Sequence, residues 1–121
     1  MKIADVNNTN FGYKHPLKTM WLKDKFPTVK YGFYGAKLTK NNVSLEHLKA
    51  YSKGGKTQLD NLVLASKENN QKRGNKDIRD FLTVENVTRY LTQFKNIKTI
   101  DFDGNKYIAM ILATIEGLIS Q

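Results

Sequence analysis

The sequence predicts a small α+β protein whose centre is a β-hairpin followed directly by a helix. An N-terminal helix-and-loop layer and two C-terminal helices complete the predicted fold. Two short apolar segments, 43–48 and 61–65, flank a loop that contains glycine, and a capped polar helix follows the second segment. Apolar residues recur at helical spacing near the C-terminus. The 121 residues, 40% of them hydrophobic and 26% charged, suffice for one globular domain.

The N-terminal part predicts few regular elements. Residues 1–15 are polar and irregular, and residues 17–25 place apolar side chains at helical spacing before Pro27 ends that helix. The aromatic, glycine-rich stretch 30–38 is typical of a turn or an irregular hairpin. His15 has no polar partner in register with it, so we interpret it as a surface residue.

The central segment predicts a strand, a loop, a second strand and a helix. The strands are VSLEHL (43–48) and NLVLA (61–65), and the loop between them bends most sharply at Gly54-Gly55. Ser66 is a candidate N-cap for a helix that Gly74 ends. This order makes residues 43–74 a compact ββα unit.

The last third predicts helices separated by a turn at 101–105. A short helical piece covers 77–82, Thr83 caps a helix over 84–95, and a longer helix covers 106–120. Their apolar stripes predict packing on the core, with self-association as the alternative. The stripes comprise Val84, Val87, Tyr90, Leu91 and Phe94 on the first helix, and Ile108, Ile111, Leu112, Ile115, Leu118 and Ile119 on the second.

Composition excludes several classes of protein. Without cysteine the chain has no disulfide, no thiolate zinc site and no cysteine nucleophile. No apolar run approaches the roughly 20 residues of a membrane helix, so no membrane-spanning helix is expected. The basic charge alone would suit either nucleic acid or an anionic membrane, and of these we expect DNA and no membrane. The first residues lack the apolar stretch of a signal peptide, and we expect a cytoplasmic protein.

The net charge of +9 is unevenly distributed along the chain. Residues 1–76 carry 15 basic and 5 acidic side chains, whereas residues 77–121 carry 5 and 6. This asymmetry predicts a basic domain over 1–76 with an anionic partner, although a merely solvated lysine-rich surface is the alternative. The extension over 77–121 is expected to pack on the core or to mediate association, as a homodimer or with a partner protein. Because 17 of the 20 cations are lysine, contact with backbone phosphates is favoured over base reading.

Polar side chains are expected to converge within the ββα unit. Glu46 and His47 end the first strand, Asn61 opens the second, and Asn70 lies one turn into the helix. A carboxylate, an amide oxygen and an imidazole on a basic surface suit metal-assisted phosphodiester hydrolysis. Oxygen ligands favour a hard cation such as magnesium, and an imidazole can take a proton from water.

These residues resemble the HNH endonuclease motif over 43–75. That motif runs from Asp/Glu-His through a Gly-Gly loop and Asn-Leu to an Asn shortly before a basic-Gly ending. Its counterparts here are Glu46-His47, Gly54-Gly55, Asn61-Leu62, Asn70 and Arg73-Gly74. Asn61 is fourteen positions after His47, and Asn70 is nine positions after Asn61. Several matches in register are more specific than a single His-Asn pair.

The resemblance implies a ββα-metal core and an enzyme that cuts DNA, leaving a 5′-phosphate and a 3′-hydroxyl. It implies that His47 is the general base and that Asn61 braces the loop and so orients His47. Glu46 and Asn70 would hold one Mg²⁺, or Mn²⁺ or Ni²⁺ in its place. The expected DNA contacts are Lys49, Lys53, Lys72 and Arg73. Stand-alone proteins of this kind are often encoded by phages, which fits a bacterial or phage-infected cell.

The chain departs from the family pattern at two places. Glu46 stands where aspartate is more frequent, which puts the carboxylate one methylene farther from the backbone. Many relatives carry structural zinc on two Cys-x-x-Cys pairs, and the corresponding residues here are Gly32, Gly35, Ser66 and Asn69. We therefore expect no structural zinc. The aromatic cluster Phe26, Tyr31, Phe33 and Tyr34 is expected to replace it as core, with base stacking on nucleic acid as the alternative.

Two other functions fit the same sequence features. The first is a catalytically weak or inactive module derived from the HNH fold that binds DNA or a protein without cutting. The second is a regulatory protein, such as an anti-nuclease, that works by protein contact through residues 77–121.

Overall fold

The protein has an α+β fold. The computed structural model describes residues 29–100 and 102–120, which contain two small antiparallel sheets and three α-helices. The predicted helix over 17–25 lies outside the described residues, as do His15 and Phe26. In chain order the elements are β1 (Val43–His47), β2 (Leu62–Ser66), α1 (Lys67–Arg73), α2 (Val84–Thr92), β3 (Lys98–Thr99), β4 (Phe102–Asp103) and α3 (Gly104–Ile119).

Strands β1 and β2 form an antiparallel hairpin with a long connecting loop. Val43 lies opposite Ser66 at one end, and His47 lies opposite Leu62 at the other. Every residue of β2 is buried, because helices pack around this strand. The apolar run that predicted β2 is therefore explained by burial on both faces rather than on one.

The outer edge of β2 is completed by side chains and a loop instead of a third strand. The backbone N–H of Leu64 donates to the Tyr90 hydroxyl at 3.0 Å, and the Tyr107 hydroxyl donates to the Leu62 carbonyl at 2.7 Å. The two hydroxyls lie 2.9 Å apart. Because the Tyr107 hydroxyl already donates its proton to Leu62, Tyr90 is the donor in this contact. The N–H of Phe33 donates to the Leu64 carbonyl at 2.9 Å. Buried backbone groups need such partners, and here α2 and α3 supply two of them.

Helix α1 begins and ends at the residues that the sequence indicates. The Ser66 side chain accepts a hydrogen bond from the backbone N–H of Asn69 at 3.2 Å, which is an N-cap. Gly74, at φ +53°, ends the helix and its N–H donates to the Asn70 carbonyl. Because α1 follows β2 without a linker, the helix folds back along the hairpin that precedes it.

On both C-terminal helices, some residues of the predicted apolar stripes are exposed. Thr83 caps α2 as predicted, but Val84 is 80% exposed, since it occupies the first turn and projects away from the core. On α3, Tyr107, Ile111 and Ile115 are buried, whereas the side chains of Leu112 and Ile119 are about half exposed. A four-residue repeat covers a narrow strip of an α-helix, so the core needs only that strip. No described helix is both long and apolar enough to cross a membrane.

The segment before β1 turns back on itself and packs on β2 and α2. The Gln93 side chain accepts hydrogen bonds from the backbone N–H groups of Lys30 and Tyr31, and it donates to the Tyr31 carbonyl. Phe33 is fully buried against the ring of Tyr90, in an edge-on arrangement at 5.8 Å. The predicted aromatic cluster is thus core at Phe33, while Tyr31 lies at the surface beneath the Arg89 guanidinium.

The tyrosine pair at the edge of β2 gives a stability prediction. Tyr107→Phe should lower the free energy of unfolding by about 1–3 kcal/mol, because the Leu62 carbonyl and the Tyr90 hydroxyl each lose a buried partner. Denaturant titration with an unchanged slope would measure this loss. The control is Tyr51→Phe, which removes an exposed hydroxyl and should change stability by less than about 0.5 kcal/mol. Equal stabilities of the two variants would contradict the assigned hydrogen-bond chain.

Candidate functional site

The predicted site residues gather around the C-terminal half of β1 and the loop after it. Glu46 and His47 are the last two residues of β1, and Asn61 immediately precedes β2. Asn70 on α1 reaches across to β1, where its side-chain nitrogen donates to the Leu45 carbonyl at 2.9 Å. Residues 25 positions apart in the chain are thereby joined at the middle of β1.

Glu46 is a buried carboxylate with two side-chain donors on one oxygen. Its side chain lies inside the fold at 3% exposure, and Oε2 accepts from the Tyr34 hydroxyl at 2.6 Å and from Arg73 Nη1 at 3.3 Å. Burial raises the pKa of Glu46, although both donors act in the opposite direction. Burial raises the pKa of Tyr34 as well, so its hydroxyl stays protonated and acts as the donor.

Arg73 is buried and holds the end of β1 in place. Besides Glu46, its guanidinium donates to three backbone carbonyls, those of His47, Leu48 and Lys76. A buried arginine with all of these partners is a structural residue. The side chain therefore lies inside the fold rather than on the surface, where a phosphate contact was expected of it.

His47 lies at the hairpin end with its ring oriented by a threonine. Its Nε2 is 2.9 Å from the Thr57 hydroxyl, and its ring centroid is 5.8 Å from that of Tyr51. The residue is largely buried, at 8% exposure. An imidazole oriented by a hydroxyl neighbour has one of the features that a general base requires.

Asn61 braces the loop between the strands. Its side-chain oxygen accepts from the N–H of Lys49 at 2.8 Å, and its side-chain nitrogen donates to the carbonyls of Lys49 and Lys56. At Gly55 a Cβ would come 1.8 Å from the Lys49 carbonyl oxygen, so only glycine fits there. These contacts close the loop into a compact turn directly after His47.

Asn70 holds α1 against β1 through its amide nitrogen. Nδ2 donates to the Ser44 hydroxyl at 3.1 Å as well as to the Leu45 carbonyl. The carbonyl can only accept, so the amide atom that faces it is the nitrogen and the other atom is Oδ1. Asn70 thus contacts β1 at Ser44 and Leu45, whereas the Glu46 carboxylate is bonded by Tyr34 and Arg73. A carboxylate and an amide oxygen are donor types that suit a hard divalent cation.

Within residues 29–100 and 102–120, no group of three His, Cys, Asp or Glu side chains could hold a metal ion. The predicted ligand pair, one carboxylate and one amide, is not a group of that kind.

Cationic side chains line a groove next to the site. A cavity of about 270 Å³ lies between the loop after β1, the turn after α1 and the end of α3. We call it the basic groove; its charged lining residues are Lys49, Lys53, Arg73, Lys76, Asp77 and Arg79. Arg79 pairs with Asp77 at 2.7 Å and thereby holds the pKa of Asp77 at about 2. Lys72 lies elsewhere, exposed on α1, in an exposed pair with Glu68.

Sequence reasoning missed three residues of this region. Tyr34 belongs to the aromatic run 31–34, where nothing in the pattern separates a core ring from a hydrogen-bond donor. Thr57 and Lys76 lie in loop and turn positions that carry no periodic signal. Each contact depends on tertiary packing, so only the folded chain reveals it.

Comparison with protein-family models, with curated proteins and with solved structures gave no match to this chain.

Because Arg73 is buried and Lys72 is exposed, substitution of Arg73 should lower stability far more than substitution of Lys72. Arg73→Gln should destabilise the fold by about 3–5 kcal/mol, because Glu46 keeps a buried charge without its partner. Lys72→Gln loses only an exposed pair and should change stability by less than about 1 kcal/mol. Thermal and denaturant unfolding of both variants would test this. A folded Arg73→Gln protein of normal stability that binds DNA more weakly would instead restore the phosphate-contact role.

Proposed function

We propose that the protein is a metal-dependent endonuclease or nickase of the HNH type, with a ββα-metal core, that hydrolyses DNA phosphodiester bonds. One observation carries the proposal. Glu46 and His47 end β1, and Asn61 braces the loop that follows it. Asn70, the fourth residue of the motif, bonds the middle of β1. Their chemistry supplies a base, an orienting amide and two oxygen ligands within one small region.

In the proposed reaction, His47 takes a proton from the attacking water. Its ring is oriented by Thr57, and the loop that carries Thr57 is closed by Asn61 at Lys56. General-base catalysis of this kind contributes about 10²–10⁴-fold to the rate. Glu46 and Asn70 would hold Mg²⁺, which when bound would stabilise charge on the phosphate and on the departing 3′-oxygen.

The DNA backbone is proposed to run along the basic groove. Lys49, Lys53 and Lys76 line this groove, and lysines act as point charges that suit phosphates. Lys72 would add a contact on α1. Residues that directly follow His47 in the chain line the groove. Phosphates bound there would therefore position the DNA strand for cutting near the end of β1.

The second candidate function is a module that binds DNA or a protein without cutting it. The observation that favours this function is the burial of Glu46, whose carboxylate already has two side-chain donors. A homodimer or a partner bound through residues 77–121 stays a prediction, and the exposed apolar side chains Leu112 and Ile119 would be available to it.

Plasmid cleavage with purified protein tests the proposed chemistry. The wild type should nick supercoiled DNA in Mg²⁺, and chelation should abolish this activity. His47→Ala should reduce the rate about 10²–10⁴-fold because the base is removed. His15→Ala, the same change at the other histidine, is the control and should retain activity.

Two outcomes would contradict the proposed reaction. A His47→Ala protein as active as the wild type would refute the base assignment. A wild type that binds DNA yet stays inert in magnesium, manganese and nickel would favour the non-cutting module instead.

Salt dependence tests the proposed path of the DNA. Replacing Lys49, Lys53 and Lys76 by glutamine should weaken duplex binding and reduce the slope of log K against log salt by about 3. Fluorescence anisotropy with a labelled duplex at several salt concentrations would measure this slope. The control replaces Lys95, Lys98 and Lys106, three exposed lysines around the start of α3, which removes the same net charge. An equal effect of both triple variants would show a general charge effect and refute the groove.

A further inference from the structure

Tyr51 is the most exposed aromatic side chain in the part of the chain that the structure describes. It begins the short turn Tyr51–Lys53 in the loop after β1, and it is 65% exposed. Covering an aromatic ring that is otherwise in contact with water is favourable. The ring is therefore available to a binding partner without any rearrangement of the core.

The turn that carries Tyr51 is closed by hydrogen bonds of its own backbone. The N–H groups of Lys53 and Gly55 both donate to the Ala50 carbonyl, at 2.9 and 3.0 Å, and the N–H of Gly54 donates to the Tyr51 carbonyl at 3.1 Å. Gly54 has a φ of +90°, a backbone conformation that favours glycine. Because this backbone is already fixed, a ligand on the ring would lose little affinity to the ordering of the loop.

The ring of Tyr51 lies beside the ring of His47. The two ring centroids are 5.8 Å apart, and the ring planes are inclined at 58°. In the proposed reaction His47 is the general base, so a group bound on Tyr51 would lie close to the phosphate that is cut. Successive nucleotides of a stacked strand are about 3.4 Å apart along the helix axis. The distance between the rings therefore corresponds to about one or two nucleotides.

Cations on either side of Tyr51 suit the phosphate backbone that would carry a base to this ring. Lys49 and Lys53 lie two residues before and two residues after Tyr51, and both line the basic groove. Neither lysine forms an ion pair with another described residue. Lysines for phosphates together with an exposed aromatic ring for a base are the combination by which many proteins bind single-stranded nucleic acid.

We propose that Tyr51 is a base-stacking residue and that the substrate is DNA with unpaired bases beside the cut, such as a single strand, a flap or a bubble. This inference rests on the proposed function for its ligand, DNA, and for the place of the cut, next to His47. In a paired duplex the bases are stacked on one another, so the ring would reach a base only if the nucleotide left the stack. Every base has an aromatic face, so this subsite adds affinity for unpaired DNA whatever its sequence.

Binding of a short labelled oligothymidylate tests the stacking, measured by fluorescence anisotropy in chelator so that no cutting occurs. Tyr51→Leu should weaken binding at least about fivefold, because one base loses its aromatic partner. Tyr51→Phe keeps the ring and should bind as the wild type does. The slope of log K against log salt should be the same for these three proteins, since no phosphate contact is lost. The matched control is Tyr31→Leu, the same change at the other exposed tyrosine among the described residues.

An abasic strand of the same length separates stacking from a disturbance of the turn. The wild type should bind the abasic strand at least about fivefold more weakly than oligothymidylate, whereas Tyr51→Leu should bind the two strands nearly alike. Fully paired duplex should bind the wild type and Tyr51→Leu equally well. In Mg²⁺ the wild type should cut a duplex with an unpaired bubble faster than a fully paired one, and Tyr51→Leu should lose this preference.

Three binding results would overturn the stacking role, and plasmid cleavage would still decide the nuclease separately. They are a Tyr51→Leu protein that binds oligothymidylate as tightly as the wild type, an equal loss in Tyr31→Leu, and an equal loss of Tyr51→Leu on the abasic strand. A wild type that cuts paired and unpaired DNA at the same rate would overturn the proposed substrate. If the wild type binds unpaired DNA through Tyr51 but cuts no DNA, the nuclease proposal fails and the stacking site stands.

Discussion

The guanidinium of Arg73 is the interaction on which the hairpin end depends. It joins α1 to β1 through the Glu46 carboxylate and the carbonyls of His47 and Leu48, and it fixes the next turn through Lys76. A buried ion pair recovers its desolvation penalty only when further hydrogen bonds satisfy both groups, and here nearly all of the arginine donors are used. Because β1 ends at these contacts, the orientation of His47 and the path of the next loop depend on them.

Hydrogen bonds and close packing hold the turn at 32–35, one of the two segments to which the motif resemblance would assign zinc ligands in other proteins. At Gly32 a Cβ would come 3.1 Å from the Cα of Ala65, so the turn packs directly on β2. At Gly35, with φ +99°, the Asn86 side chain occupies the space where a Cβ would be. Gln93 bonds the backbone on the other side of the turn. Helix α2 thus supplies by side-chain contacts the local constraint that a metal can supply elsewhere.

Local chemistry made part of this structure predictable. Ser66 caps the start of α1 and Gly74 ends the helix, because capping depends on neighbouring residues. The apolar alternation around Leu45 and the continuous apolar run around Leu64 located the hairpin. Most contacts of Arg73 were not predictable, since a basic residue near a helix end is usually exposed and three of its four partners lie 25–27 residues away.

The same limit applies at the site itself. The motif spacing predicted that Asn70 would face Glu46 and His47, whereas its side chain bonds Ser44 and Leu45. Asn61 bonds the loop at Lys49 and Lys56. The motif could not reveal that Tyr34 donates to Glu46, because the turn that carries Tyr34 lies outside the motif. The prediction that Val84 packs on the core was wrong for a different reason. Helical periodicity gives the direction of a side chain around the axis, but it does not say how far along the helix the core extends.

The C-terminal helices stabilise the site by direct contacts and are not an independent extension. Tyr107 bonds the first carbonyl of β2, and Thr114 donates to the carbonyl of Asp60, next to Asn61. Leu118 lines the basic groove. Removing the helices after residue 76 would leave the carbonyls of Leu62 and Asp60 without these partners and would expose the face of β2 that carries the core. Since Asn61 must be rigid in order to close the loop after His47, the smallest unit that keeps the site geometry includes α3, although the charge asymmetry separates these regions in the sequence.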